Sequence, residues 1–134
     1  MAVKKRRWAL APVELLLMKA AWRLGKATVH EIRDAVAGER ELAYTTVLTM
    51  LRTLEQKGFL THEEVDRKYV YRPLVSEEHV RAGMLQDLLQ RAFDGSRELL
   101  LTRLLELRRP DDRELKALKE IIRKSEKSEG SAGE

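Results

Sequence analysis

At 134 residues the chain has room for one compact domain, with or without an appendage, rather than two full ones. Its 43% hydrophobic share is that of a globular protein and its 36% charged share that of one with much surface; the absence of cysteine excludes a disulfide framework, a thiol nucleophile and a cysteine-ligated metal. The net charge of +4 is unevenly spread: residues 1–75 hold 14 basic and 9 acidic side chains and residues 76–134 hold 12 and 13, so the basic excess sits in the first part, as expected if that part meets a polyanion.

The basic start Lys4-Lys5-Arg6-Arg7 resembles a secretory leader only superficially. Trp8–Leu17 is interrupted by Pro12 and Glu14 and lacks a small-residue cleavage site. No apolar run approaches the roughly 18 residues that span a bilayer, so the chain reads as cytoplasmic. Among candidate metal ligands, His30, His62 and His79 are isolated and read as structural.

In chain order, a first helix has Pro12 in its opening turn, Gly25 as its stop, and an apolar stripe of Val13, Leu16, Leu17, Ala20 and Leu24. Thr28 and Glu31 form a capping box that opens a second helix with Val29, Ile32 and Val36 inward. Gly38 to Glu41 make a turn. A third helix from about Tyr44 to Lys57, closed by Gly58, turns Val47, Met50, Leu51 and Leu54 inward. Its other face holds Thr45, Thr46, Leu48, Thr49, Arg52 and Thr53. Threonine is a mediocre helix former, so this face calls for a reason beyond solvation.

Phe59–Glu63 and Lys68–Arg72 read as two short strands, with Glu64–Arg67 as the hairpin tip and Pro73 as the end. Ser76 caps a further helical segment carrying Val80, Met84, Leu88 and Phe93, which breaks at Gly95-Ser96. Leu99, Leu100, Leu101, Leu104, Leu105 and Leu107 follow up to Pro110, and Asp111–Glu114 caps a last helix with Leu115, Leu118, Ile121 and Ile122. The Ser-, Glu- and Gly-rich end, 126–134, reads as a disordered tail.

Three helices and a hairpin are the order of a winged helix-turn-helix, whose third helix enters a major groove. The expected fold is mainly α with a small β-hairpin: a winged-helix DNA-binding domain over 1–75, then a helical dimerisation domain over 76–125. Thr45, Leu48, Thr49 and Arg52 lie at i, i+3, i+4 and i+7, one groove-facing stripe beside Thr46 and Thr53. Arg52 suits a guanine edge or a phosphate, and the threonine hydroxyls suit base edges or phosphate oxygens. Arg67 and Lys68 at the wing tip, and Lys5, Arg6 and Arg7 in an N-terminal arm, are further candidates for the DNA backbone or a minor groove.

Past residue 76 the leucines cover too wide an arc for one-sided packing, and short helices make a poor independent core. Met84, Leu88, Leu100, Leu101, Leu104, Leu105, Leu118 and Ile122 are therefore expected at an interface between two copies, which would set two reading heads on a palindromic site. No phosphate-binding glycine loop, metal-ligand cluster or activated nucleophile supports an enzyme. A polar third helix argues against a protein-interaction module, and few aromatics argue against single-strand RNA binding.

Leu10-Ala11-Pro12-Val13-Glu14-Leu15 with Met18-Lys19-Ala20-Ala21-Trp22 resembles the first helix of the penicillinase-repressor family (BlaI/MecI type). The block AYTTVLTMLRTLEQKGFL, from Ala43 to Leu60, resembles that family's recognition helix and first wing strand. Lys68-Tyr69-Val70-Tyr71-Arg72-Pro73 is similar to its second wing strand. The similarity spans about residues 8–125 and is most specific around the third helix.

The resemblance implies a homodimeric repressor that binds a dyad operator before resistance or stress-response genes, with DNA contacts at Thr45, Thr46 and Thr49. For β-lactam systems it also implies a membrane sensor-protease whose signal ends in cleavage of the dimerisation region. Three departures stand out. Leu48 occupies a position that is often basic in the family, so the operator sequence does not carry over. Thr102-Arg103 replaces the Asn-Phe scissile pair of staphylococcal members, and the cysteine cluster of copper-responsive relatives is missing.

Overall fold

The computed structural model describes Trp8 and residues 10–132, with side chains from 128 onward set aside. Lys5, Arg6 and Arg7, the expected basic arm, lie outside the described residues. Two compact units divide at Leu88/Leu89.

In the first unit, α1 (Pro12–Leu24), β1 (Ala27–Thr28), α2 (Val29–Val36), α3 (Tyr44–Gln56), β2 (Leu60–Val65) and β3 (Lys68–Pro73) are followed by the start of α4 (Glu77–Phe93). This is a winged helix, mainly α with a small antiparallel sheet. Its fully buried centre joins Leu17 and Met18 of α1, Ile32 of α2, Val47, Leu51 and Leu54 of α3, Phe59, Leu60, Tyr71 and Val80. Burying each large side chain of this set stabilises the fold by about 1.5–3 kcal/mol, so the head has a sufficient core of its own.

The local signals act as their chemistry requires. Thr28 Oγ1 accepts from the Glu31 amide at 3.1 Å, and Glu31 Oε1 accepts from the Thr28 amide at 2.8 Å. These bonds from Thr28, the backbone one foremost, hold the Glu31 carboxyl below the usual carboxylate range, with a further push from Lys68. At the end of α3, Gly58 adopts φ +92°, a left-handed stop that other residues rarely take. Gly83 of α4 is needed for space: a Cβ there would fall 2.3 Å from the Trp8 indole. Trp22 donates its indole N–H to the Val75 carbonyl at 2.9 Å, tying α1 to the segment that leads into α4.

Several expectations are corrected. The sheet has three strands in the order β1-β3-β2, because Ala27 and Thr28 pair with Tyr71 and Val70. Two residues carry no readable alternation, and Thr28 also serves as the α2 cap. β2 runs on to Val65 and β3 includes Pro73, leaving only Asp66 and Arg67 in the tip. Both have positive φ, 51° and 66°, which makes the tight two-residue turn whose twist suits a hairpin. On α1, Met18 and Ala21 are buried while Leu24 is 42% exposed. The register is rotated toward Glu14, which is also buried.

The second unit contains the end of α4, α5 (Arg97–Leu107) and α6 (Asp112–Ala132). Asp94 and Gly95 take positive φ, and Ser96 caps α5 through its Oγ at 3.1 Å from the Leu99 amide. Asp111 caps α6 by accepting from the Glu114 amide at 2.8 Å. Helix continues through Ala132, into the stretch whose composition suggested disorder; Glu126, Lys127 and Ala132 are good helix formers that extend a turn already nucleated. Between Leu89 and Lys127 no described side chain is fully buried.

Candidate nucleic-acid interface

The outward face of α3 is fixed by what its inward face buries. Val47, Leu51 and Leu54 have no exposure, and Met50, expected inward, is only half-buried. The opposite arc then necessarily presents Thr45, Thr46, Thr49 and Arg52, all exposed. Leu48 and Thr53 sit at the edges of that arc, half-buried. Leu48 packs partly against the core, and Thr53 gives its hydroxyl proton to the Thr49 carbonyl at 3.1 Å. Of the six side chains expected on this face, four are therefore free to meet a ligand directly. No acidic residue stands in the first turn of α3 and no side chain caps it, which leaves a helix start suited to a phosphate.

A part-buried ion pair holds the far end of α3. Lys57 Nζ lies 3.1 Å from both oxygens of Glu14, whose side chain is 10% exposed against 32% for Lys57. Glu14 Oε1 also accepts from the Ala11 amide at 2.9 Å, so one carboxylate joins the start of α1 to the end of α3. In sequence, Glu14 shows only as an interruption of an apolar run. Removing the lysine would strand a buried carboxylate; the lysine's partial exposure reduces the cost. Lys57→Met is expected to lower stability by about 1–3 kcal/mol, read as a fall in the urea midpoint, with part recovered when Glu14→Gln is added. An unchanged midpoint would show that the pair does not anchor α3.

The wing is joined to α3 by a second polar contact. His62 Nδ1 of β2 lies 2.7 Å from Glu55 Oε1, and the imidazole meets Tyr69 edge-on and Tyr71 at a tilt, with ring centroids 5.1 Å apart in each case. Burial, with the Glu55 charge adding to it and the Arg52 charge opposing, pushes the Tyr71 hydroxyl above its usual range, which keeps it neutral. Arg67 and Lys68 are exposed at the hairpin end, as expected. Their setting is not purely basic, since Glu63, Glu64 and Asp66 share the wing, and Glu63 approaches Lys26 at 3.8 Å.

The side chains expected at an interface between copies differ in exposure. Met84 is half-buried against the core of the first unit. It faces that core because it lies one turn beyond Val80 on α4. Leu88, Leu101, Leu104, Leu105 and Ile122 are exposed, Leu104 to 55% and Ile122 to 51%, while Leu100 and Leu118 are half-buried. Leu85, Leu107 and Ile121 belong to the same exposed apolar set.

Residues 10–124 match the penicillinase repressor family. The chain is 34% identical over 99 residues to the transcriptional regulator BlaI of Mycobacterium tuberculosis, covering 72% of each protein. The chain belongs to the penicillinase repressor family. It is thus a DNA-binding transcriptional regulator and not an enzyme. More distant members include the penicillinase repressor of Bacillus licheniformis, 25% identical over 113 residues, covering 84% of this chain and 88% of that one. A MarR family protein from Bacillus stearothermophilus has a structure that covers 96% of this chain and 86% of its own, at 18% identity and a TM-score of 0.48. The resemblance read around α3 and the wing is the one that family membership bears out. No helix among the described residues is long and apolar enough to cross a membrane.

Proposed function

We propose that the protein represses transcription as a homodimer, each copy laying α3 into the major groove of one half of a dyad operator. The observation that carries this is the α3 outer arc, where Thr45, Thr46, Thr49 and Arg52 stand exposed directly opposite the buried Val47, Leu51 and Leu54. An arginine and three small hydroxyl side chains on one helix face can read base edges in a groove wide enough for a helix. Leu48 at the edge of the arc offers an apolar contact to a thymine methyl.

Arg67 and Lys68 at the wing contact the backbone beside the groove in this reading, and fix the register in which α3 sits. The second unit supplies the pairing surface. Its described side chains form no buried core, and Leu101, Leu104, Leu105, Leu107, Ile121 and Ile122 are left exposed. A second copy is the occupant whose symmetry also explains a dyad site.

Relatives named for penicillinase and methicillin resistance support the reading that the regulated genes serve resistance or stress response. No proteolytic release is included, because Thr102-Arg103 departs from the Asn-Phe pair that a sensor-protease would cut. Titration of a labelled duplex taken from upstream of the gene, against a scrambled duplex of equal length, tests the proposal. Preference for the upstream duplex by at least about a thousandfold at fixed salt is expected. Salt-sensitive binding without preference would contradict it.

A further inference from the structure

We propose that His62 of the wing controls what Arg52 can read: by holding the Glu55 carboxylate it keeps that group from pairing with the arginine one turn earlier on α3, and so leaves the guanidinium open to a base. This rests on the DNA-binding reading above and deepens it with two residues that lie off the reading arc.

Arg52 and Glu55 stand at i and i+3 on α3, a spacing at which opposite charges on a helix meet. The chain makes such pairs elsewhere. Glu78 pairs with Arg81, Glu120 with Arg123, and Arg103 with Glu106, the last in the same order as Arg52 and Glu55 and closed at 2.6 Å. Arg52 makes no ion pair among the described residues, although its neighbour carries the complementary charge. What differs at Glu55 is a competitor from another element.

That competitor is His62. Its Nδ1 lies 2.7 Å from Glu55 Oε1, and a carboxylate can only accept, so the imidazole donates. The ring is itself placed by the sheet: His62 lies opposite Tyr71 in the β2–β3 register, and its centroid is 5.1 Å from those of Tyr69 and Tyr71. The His62 and Glu55 side chains are 35% and 29% exposed, so their bond is partly sheltered from water. A pair with Arg52 would stand on the exposed arc, where water and salt weaken it.

The Arg52 head nevertheless stays close. Beyond the effect of burial, the Tyr71 hydroxyl is pushed up by the Glu55 charge and down by that of Arg52, so both heads lie near the same point of the wing. An exchange of partners therefore needs only side-chain rotation, not movement of the helix. An arginine paired with Glu55 would have to give up that carboxylate before it could offer two donors to a guanine.

Anisotropy titrations of the upstream and scrambled duplexes at fixed pH and salt test this with His62→Phe, which keeps a ring beside Tyr69 and Tyr71 and loses the donor. On the upstream duplex His62→Phe should bind about two- to fivefold more weakly than wild type, the range that an exposed ion pair is worth. On the scrambled duplex the two should bind alike, which also shows that the variant is folded. Adding Glu55→Gln should restore wild-type affinity, because no carboxylate is left to take the arginine. In an Arg52→Ala protein, His62→Phe should cost nothing further. A loss that survives either second substitution, or that is equal on both duplexes, would make His62 a support of the wing and overturn the proposal, as would no loss at all. Wild type without preference for the upstream duplex would overturn the DNA-binding reading and this proposal together.

Discussion

Leu104→Asp is expected to turn the protein into monomers and to weaken its binding to a two-half-site duplex by about 10²–10⁴-fold, the avidity lost when the second head is no longer tethered. Leu104 lies on α5 and is 55% exposed, among Leu101 at 44%, Leu107 at 83%, Ile121 at 62% and Ile122 at 51%. Each such side chain is worth about 1.5–3 kcal/mol when moved out of water, so a surface assembled from several of them can hold two copies together. A carboxylate at its middle would have to be buried without a partner, which costs more than the lost leucine alone. Because residue 104 is exposed within one chain and distant in sequence from the core of the first unit, the winged helix should keep its unfolding midpoint. Sedimentation velocity with parallel duplex titration measures both effects. Wild type that is already monomeric at micromolar concentration, or a variant that remains dimeric, would remove the basis of the two-headed reading.

Arg52→Ala is expected to cost about 1–3 kcal/mol of binding to the upstream duplex and little on the scrambled one. Arg52 is exposed on the arc that carries Thr45 and Thr49, and it is the one side chain there long enough to reach a base pair with two donors. Removing a bidentate contact also leaves the base edge unpaired, which is why the loss should depend on sequence. The same titrations at matched salt distinguish the alternatives. A loss of equal size on both duplexes would make Arg52 a phosphate contact, and no loss on either would take it out of the interface. Its position is set by the inward stripe and by the Glu14–Lys57 pair at the helix end, so Lys57→Met is the companion variant in which the reading face moves without being altered.

Much of the head was legible because its signals are local. Thr28 and Glu31 specify the start of α2 through two short hydrogen bonds, and Gly58 specifies the end of α3 through a dihedral angle. The inward stripe of α3 follows from spacing, except that Met50 is only half-buried. The sheet was less legible: β1 is two residues long, and the tight turn uses Asp66 and Arg67 where a glycine would have announced it. Long-range pairing also escaped. Nothing near Glu14 in sequence signals a partner at Lys57, and Val80 and Met84 show no local sign that they pack against the first unit rather than serve the second.

The candidate site divides along the same line. The threonines stood out because threonine is a mediocre helix former, and Arg52 because it shares their stripe at i+3 and i+7. The exposed apolar set in the second unit was readable as a surplus of leucine, while the exposure of each residue needed the structure.

Methylation protection on the upstream duplex, at saturating protein, measures most directly whether α3 occupies the major groove of a dyad. Dimethyl sulfate attacks guanine N7, which lies in that groove. Two protected patches on one face of the duplex, centred about one helical turn or a whole number of turns apart, are the expected result. Guanines that remain fully reactive across a site the protein demonstrably occupies would contradict it.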